Sequence, residues 1–193
     1  MKKNHTLMLS LACAGFAAGL AQADYTVKMN MIDIKGVGAD AGEVVLKDDG
    51  KGGVTFAPNM KGLPPGEHGF HVHEFANCAA KEKDGKMEPG EAAGPHWDPD
   101  KAGKHGSPTG GGHRGDVPPI KVGADGTAKG AVTAPRLKLA DLKNKALMLH
   151  QGGDNFSDQP KPNGGGGTRI ACGVIDPAEK SAPDKAPFDP KKK

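Results

Sequence analysis

Apolar and polar residues alternate along most of the chain in short segments that are separated by turn residues. Eight segments have this pattern: 25–34, 43–49, 53–59, 68–75, 117–123, 127–134, 146–152 and 169–175. Alternation with a period of two is typical of strands that place one face on a core. Asp49-Gly50, Gly52-Gly53 and Asp125-Gly126 fall between segments and favour hairpin turns. Because no amphipathic helix accompanies these strands, the pattern predicts an all-β antiparallel sandwich or barrel.

Two stretches between the predicted strands are too long to be simple connections. Residues 76–114 have almost no apolar periodicity, and residues 153–168 contain a run of glycines. Long irregular loops in a compact domain are usually functional. The stretch 134–146 is leucine-rich but can hold one helical turn at most. The sequence therefore predicts a strand framework with two long functional loops.

The two ends of the chain differ in composition from the rest. Residues 1–23 combine two early lysines, an apolar run and a small-residue ending, which is typical of a secretory signal peptide. The apolar run is shorter than the roughly 20 residues that a membrane span needs, so we predict cleavage and a soluble mature protein. A lipid-attached Cys13 and an uncleaved anchor are less favoured alternatives. Residues 176–193 are rich in proline, alanine and charge and predict a disordered tail, which leaves one domain at 24–175.

The charge balance excludes one class of partner. The chain carries 26 Lys+Arg and 23 Asp+Glu, and two of the lysines lie in the predicted signal peptide. The remaining chain is nearly neutral and has no basic block suited to a nucleic acid. The three closing lysines indicate a solubilising end.

The cysteines add a second prediction about the exported chain. Removal of the signal leaves Cys78 and Cys172, and export places them in an oxidising compartment. A disulfide is the favoured interpretation. Two separate thiols or a metal-binding pair are the alternatives, although neither cysteine has the closely spaced partner that thiolate metal sites usually contain.

The stretch HGFHVHE at 68–74 places imidazoles on a predicted strand. Because side chains alternate along a strand, Phe70 and Val72 can face the core while His71 and His73 project together from the other face. His68 falls on the side of Phe70 or in the turn, and we interpret it as a residue that binds no metal. The strand thus offers two imidazoles on a rigid support.

Further imidazoles and a carboxylate come from other parts of the chain. His150 lies on the outer face of a second predicted strand, and the first long loop contributes His96, His105, His113 and Asp116. Imidazole and carboxylate are the ligands that zinc and copper favour, whereas calcium and magnesium prefer oxygen. A single histidine is more often structural than a ligand, but seven such side chains on one strand face and one loop favour a metal centre.

With the motifs GFHVHE, HWDP, GHRGD, LMLHQGGDN and TRIACGVI, the chain resembles the bacterial periplasmic copper/zinc superoxide dismutases over residues 25–175. The resemblance implies an eight-stranded Greek-key sandwich or barrel. It implies superoxide as the substrate, oxygen and hydrogen peroxide as products, copper and zinc as cofactors, and a periplasmic location. It is compatible with a monomer or a homodimer.

The resemblance also assigns roles to individual residues. It implies four copper ligands: His71, His73, His150 and His96, the last of which bridges to zinc. It implies three further zinc ligands: His105, His113 and Asp116. Asp154 matches a carboxylate that binds one ligand imidazole at each metal and fixes its tautomer. Arg169 matches the arginine that receives the anion above copper, and the bond from Cys78 to Cys172 would hold the loop and that arginine in register.

Two other functions are compatible with the histidines. A periplasmic protein that stores or delivers metal needs the ligands but has no use for Arg169 or Asp154, and a structural zinc domain would bind no copper. The sequence departs from the family pattern at Pro95, at Phe156 and in a shortened interval from His105 to His113. None of these departures removes a ligand.

Overall fold

The computed structural model describes residues 24–176. The predicted signal peptide and the tail beyond residue 176 lie outside the described residues. Residues 24–176 contain ten strands: β1 (Tyr25–Asp33), β2 (Gly36–Asp48), β3 (Val54–Met60), β4 (Gly66–His73), β5 (Lys81–Lys83), β6 (Lys86–Glu88), β7 (Asp116–Val122), β8 (Val132–Ala134), β9 (Lys145–His150) and β10 (Arg169–Ile175). Three 3₁₀ turns cover Glu91–Ala93, Leu139–Leu142 and Asn163–Gly165. Within residues 24–176, no helix has the length and apolar character required to cross a membrane.

Eight of the strands form one antiparallel sheet in the order β7-β4-β9-β10-β1-β2-β3-β8. The two edge strands, β7 and β8, contact each other, so the sheet curls into a nearly closed barrel. Consecutive strands β1, β2 and β3 are neighbours, whereas β3 to β4 and β8 to β9 are connected across the barrel. This is the Greek-key arrangement, and it confirms the predicted fold class.

Apolar side chains pack on both faces of the strands that carry the histidines. Inside the barrel, Phe70 of β4 and Leu147 and Leu149 of β9 belong to the main core. Outside it, Ala146 and Met148 of β9 join a second apolar cluster under the first long loop. The members of this cluster are Ile32, Cys78, Ala93, Ala146, Met148 and Cys172. The loop is therefore packed against the barrel and gives its histidines a fixed position.

The strands differ most from the predicted ones in three places. β2 begins at Gly36, well before residue 43, and β8 covers only Val132–Ala134. The hairpin of β5 and β6 lies within the first long loop, where no strand was predicted. Its residues are mostly exposed and polar, so they have none of the alternation by which strands are recognised. The stretch 134–146 contains a single 3₁₀ turn, as predicted.

A disulfide joins Cys78 to Cys172 across a sequence separation of 94 residues, which confirms the favoured interpretation of the two cysteines. It connects the start of the first long loop to β10. A backbone hydrogen bond from the Ala92 N–H to the Ala79 carbonyl closes the same loop on itself. Residues 76–94, which we call the tethered loop, are thereby fixed to the strand that begins with Arg169.

Removal of this disulfide is expected to destabilise the protein. In the double variant Cys78→Ala/Cys172→Ala, the free energy of unfolding should fall by about 4 kcal/mol, because the unfolded chain loses the constraint of a long covalent loop. Urea unfolding of the metal-free protein measures the change, and reduced wild-type protein is the matched control. An unchanged urea midpoint in both samples would contradict the prediction.

Candidate metal centre

The rigid part of the site comes from β4 and β9, which are adjacent strands of the sheet. Their pairing sets His71 opposite Met148 and brings His150, at the end of β9, beside the same face. His96 reaches this face because the chain around it pairs with the end of β4, through a bridge between His73 and His96. A Cβ atom at Gly115 would lie 2.3 Å from the Val72 carbonyl oxygen, so only glycine allows this close approach.

Four imidazoles form the first cluster, which we call group I: His71, His73, His96 and His150. All four are buried. One nitrogen of each ring is held by an oxygen acceptor. His73 Nδ1 donates to the Gly94 carbonyl at 2.9 Å, and His150 Nδ1 donates to the Gly167 carbonyl at 3.2 Å. The opposite nitrogens, His73 Nε2 and His150 Nε2, lie 3.4 Å apart and face each other.

The remaining two rings of group I complete this pattern. His71 Nε2 donates to Asp154 Oδ2 at 2.8 Å, and His96 Nδ1 lies 2.9 Å from Asp116 Oδ1. Their other nitrogens, His71 Nδ1 and His96 Nε2, are buried and have no hydrogen-bond partner among the described residues. Buried polar atoms normally have a hydrogen-bond partner, so two buried nitrogens without one in the same cluster indicate that they bind a cation. Group I therefore fits a metal ion with four nitrogen ligands.

The second cluster, group II, contains His96, His105, His113 and Asp116. Three Nδ1 atoms lie around Asp116 Oδ1, at 2.9 Å from His96, 2.9 Å from His105 and 3.3 Å from His113. Three imidazoles and one carboxylate are the number and type of ligands found in closed tetrahedral zinc sites. His96 is common to both clusters, since its Nδ1 faces group II and its Nε2 faces group I.

Asp154 connects the two clusters from behind. Its Oδ2 accepts from His71 Nε2 and its Oδ1 accepts from His105 Nε2, both at 2.8 Å. One carboxylate thus fixes the ring orientation and the tautomer of a histidine in each group. A Cβ atom at Gly164 would lie 2.1 Å from Asp154 Oδ1, so glycine at this position leaves the room that the carboxylate occupies.

A cavity of about 470 Å³ opens onto group I. His73, His96, His150 and Arg169 are among the residues that line it. The Arg169 guanidinium donates to the Gly90 carbonyl at 2.6 Å and to the Gly94 carbonyl at 2.8 Å. The site therefore combines a cluster of imidazoles with a fixed cation beside a solvent-connected cavity, which suits a small anion.

Comparison with known proteins places the chain in a family. The model of the copper/zinc superoxide dismutases (SODC) matches residues 40–175. The chain belongs to the copper/zinc superoxide dismutase family. It is 54% identical over 177 residues to superoxide dismutase [Cu-Zn] 2 of Salmonella typhimurium, covering 91% of this chain and 99% of that protein. It is 51% identical over 176 residues to superoxide dismutase [Cu-Zn] of Escherichia coli K12, with the same coverage of both chains.

Solved structures of the family have the same fold. The copper/zinc superoxide dismutase from Brucella abortus matches with a TM-score of 0.77 and 51% identity, over 79% of this chain and 99% of that one. The monomeric copper, zinc superoxide dismutase from Salmonella enterica matches with a TM-score of 0.71 and 55% identity, over 80% of this chain and 100% of that one. The chain is therefore a superoxide dismutase of the copper/zinc type, an oxidoreductase with copper and zinc as cofactors.

The structure brings together every side chain that the sequence assigned to the metals of this superoxide dismutase. Groups I and II contain all seven candidate ligands, and Asp154 and Arg169 lie next to them. His68 lies outside both groups, with its two ring nitrogens 2.8 Å from the His150 and Pro64 carbonyl oxygens. The nitrogen-only set of group I suits copper, and the mixed set of group II suits zinc.

Charge is distributed unequally between the two groups of the dismutase site. Burial and the neighbouring His71 lower the pKa of His96 to about 3, and burial also lowers the pKa of His71. Burial opposes a charge on His105, but its hydrogen bonds to Asp116 and Asp154 outweigh burial and raise its pKa to about 9. Hydrogen bonds from the histidines hold the pKa of both carboxylates well below the usual range despite burial. In the metal-free protein, His105 is therefore charged at neutral pH while His71 and His96 are neutral.

This difference predicts that zinc added alone to the metal-free protein releases a proton, and that copper added alone does not. Zinc must displace a proton from His105, so below the His105 pKa of about 9 the apparent zinc affinity should rise about tenfold per pH unit. The neutral imidazoles of group I need no such displacement, so copper affinity should change little near neutral pH. Competition with a chromophoric chelator at several pH values measures both metals. Equal pH dependence for the two metals would refute the prediction.

Loss of the shared carboxylate should weaken both metals together. In Asp154→Asn, the side chain keeps its size, but it is neutral and has one accepting oxygen where the carboxylate has two. It therefore cannot accept hydrogen bonds from both imidazole N–H groups, and copper and zinc affinity should each fall about 10- to 100-fold. Metal titration of the apoprotein measures both values. Asp158→Asn is the matched control, because Asp158 accepts hydrogen bonds from the backbone N–H groups of His105 and Asn163 and from no imidazole. A loss confined to one metal would show that Asp154 does not connect the sites.

Sequence patterns missed several residues that hold the site. Arg136 Nη2 donates to the Gly112 carbonyl at 2.8 Å, and Arg114 Nη2 donates to Asp100 Oδ1 at 2.7 Å, so two arginines pin the loop that carries His113. Glu91 lies 3.2 Å from Arg169 and is an ion-pair partner. These are charged residues in loops with partners far along the chain, and no local signal in the sequence identifies them.

Proposed function

We propose that group I binds copper, that group II binds zinc, and that Arg169 receives superoxide at the copper side. The assignment rests on the position of His96. This residue belongs to both groups, and it lines the cavity next to group I together with Arg169. Bound copper supplies an acceptor for the electron of one superoxide and a donor of an electron to the next, so two superoxide ions and two protons yield oxygen and hydrogen peroxide.

Arg169 binds and orients the anion in this proposal. Its side chain is mostly buried, and the two carbonyl oxygens of Gly90 and Gly94 fix the plane of the guanidinium. A preorganised cation in a partly dehydrated cavity attracts a small anion more strongly than a mobile surface lysine does. Lys83 also lines the cavity, whereas the neighbouring Lys81 and Lys86 do not line it.

His96 is the residue best placed to handle a proton. Its Nε2 is buried and has no partner among the described residues, and His96 lines the cavity, so this atom could hold a proton while it is not bound to copper and return it to the departing peroxide. Its Nδ1 stays with group II. Group II acts through the position and basicity of the His96 ring.

We also propose that the enzyme acts in the periplasm. The composition of residues 1–23 supports export, and the bond between Cys78 and Cys172 suits an oxidising compartment. Cell fractionation with mass spectrometry of the purified protein tests this. A mature chain that begins at Asp24 in the periplasmic fraction is the expected result, and an uncleaved cytoplasmic protein would overturn it.

Metal analysis followed by a superoxide assay tests the catalytic proposal. Protein purified without added metal is loaded with zinc alone, copper alone or both, and superoxide removal is measured for each sample. We expect one copper and one zinc per chain, and activity only where copper is present. A copper-loaded sample that removes no superoxide would indicate a storage protein, and failure to bind copper would indicate a structural zinc domain.

A further inference from the structure

A short turn of the tethered loop surrounds the Arg169 guanidinium with oxygen atoms. The Gly90 and Gly94 carbonyls accept its hydrogen bonds, and Glu91 Oε2 lies 3.2 Å from Nη2. All three groups come from the five residues 90–94, which contain the 3₁₀ turn Glu91–Ala93. The carbonyls are enough to fix the guanidinium, so the carboxylate adds a charge to an arginine that is already in position.

The turn itself has little freedom to move. Gly90 and Gly94 have φ of 63° and 75°, and a Cβ atom at either one would lie 2.7 Å from a side chain, that of Ile32 or that of Phe75. The Ala92 N–H donates to Ala79 within the same loop. Glu91 is therefore held beside Arg169 by the backbone, and both residues line the cavity.

The second oxygen of this carboxylate has its own cation. Glu91 Oε1 lies 3.1 Å from Lys83 Nζ, and the Glu91 side chain is 18% exposed while that of Lys83 is 55% exposed. Lys83, Glu91 and Arg169 form a line of alternating charge that we call the charge triad. Glu88 also lines the cavity and is a second negative group near Arg169.

An entering anion meets opposing forces at this triad. Arg169 attracts it, while Glu91 repels it and partly neutralises the arginine. The repulsion acts on the total charge of the anion, so it is about twice as strong for a divalent anion such as hydrogen phosphate as for a monovalent anion such as superoxide. The same carboxylate stabilises the buried guanidinium when the cavity holds no anion.

We propose that Glu91 is a specificity-determining residue, which weakens anion binding at Arg169 and does so more for divalent than for monovalent anions. Lys83 limits this effect by neutralising part of the Glu91 charge. The consequence is a cavity that superoxide enters and leaves rapidly and that phosphate does not block. The inference rests on the proposed role of Arg169 as the anion contact.

The test compares anion binding to the copper- and zinc-loaded protein and its Glu91→Gln variant. Azide binding to copper(II) is followed by its absorption, without turnover, and phosphate binding is measured by competition with azide. In Glu91→Gln, azide should bind about threefold more tightly and phosphate about tenfold more tightly, since a divalent anion loses twice the repulsion. Lys83→Gln should weaken both anions, phosphate more than azide.

Glu82→Gln is the matched control. It makes the same change in net charge in the same tethered loop, but Glu82 is exposed and does not line the cavity, so both affinities should stay at the wild-type value. If Glu91→Gln behaves like Glu82→Gln, or loses azide affinity while both metals are retained, the proposal is wrong.

Anion binding by Arg169→Ala separates failure of the inference about Glu91 from failure of the proposed function of Arg169. If Arg169→Ala alone binds azide and phosphate as the wild type does, Arg169 is not the anion contact, and both proposals fall. If Arg169→Ala weakens both anions while Glu91→Gln has no effect, only the role of Glu91 fails. Metal content measured on each sample excludes loss of copper as the cause of a changed affinity.

Discussion

Replacement of His96 by alanine is expected to abolish superoxide removal and to weaken copper and zinc together. The ring provides one nitrogen to each group and is 4% exposed, so no solvent ligand can easily take both positions. Loss of a residue that only hydrogen-bonds to a metal ligand costs about 10- to 100-fold in metal affinity. Loss of this shared ligand should therefore cost at least about a hundredfold at each site. Metal titration of the apoprotein and a superoxide assay measure the result.

His150→Ala is the informative comparison for this variant. His150 belongs to group I alone, so its loss should weaken copper and leave zinc affinity close to the wild-type value. If the two variants have the same zinc affinity, His96 is not a shared ligand. If His96→Ala retains full activity, the assignment of the copper group is wrong.

Replacement of Arg169 by alanine is expected to give a protein that binds both metals and has lost most of its activity. Arg169 belongs to neither ligand group, and its contacts are the carbonyls of Gly90 and Gly94 and the carboxylate of Glu91. Loss of a fixed cation that attracts and orients the substrate should lower the rate constant about 10- to 100-fold. The dependence of the rate on ionic strength should become weaker as well.

Two further variants define what the arginine contributes. Arg169→Lys keeps the charge but cannot span two carbonyls with a planar group, so its rate should lie between those of the wild type and Arg169→Ala. Lys61→Ala removes an exposed cation that pairs with Asp40 outside the copper-side cavity and should have the wild-type rate. An undiminished rate in Arg169→Ala with full copper content would count against the assigned role.

The ligand-bearing strands could be predicted because strand periodicity is a local property. Alternation along β4 separated Phe70 from His71, and the structure places Phe70 in the main core while His71 lies in group I. The same reasoning set Met148 and His150 on one face of β9, and Met148 lies outside the barrel in the second cluster. Successive side chains of a strand point to opposite faces, so the face of each residue can be predicted without knowledge of the rest of the chain.

The tethered loop could not be predicted in the same way. Its hairpin consists mostly of exposed polar residues around Asp84 and Gly85, and the loop is held by the disulfide and by packing of Cys78 and Ala93 in the second cluster. The contact between Glu91 and Arg169 joins residues that are far apart in sequence, so it depends on the closed barrel and on the tether. Such contacts follow from tertiary structure, whereas composition and periodicity report only local preference.

The burial of β4 and β9 on both faces has a consequence for how the site opens. From His68 to His73 and from Ala146 to His150, every residue is buried, so their amides can exchange with solvent only when the barrel itself unfolds. His105 and His113 lie on irregular backbone, where smaller openings occur. The group I ligands on β4 and β9 can therefore change position only with the barrel, whereas the loop ligands of group II follow local fluctuations of lower free energy.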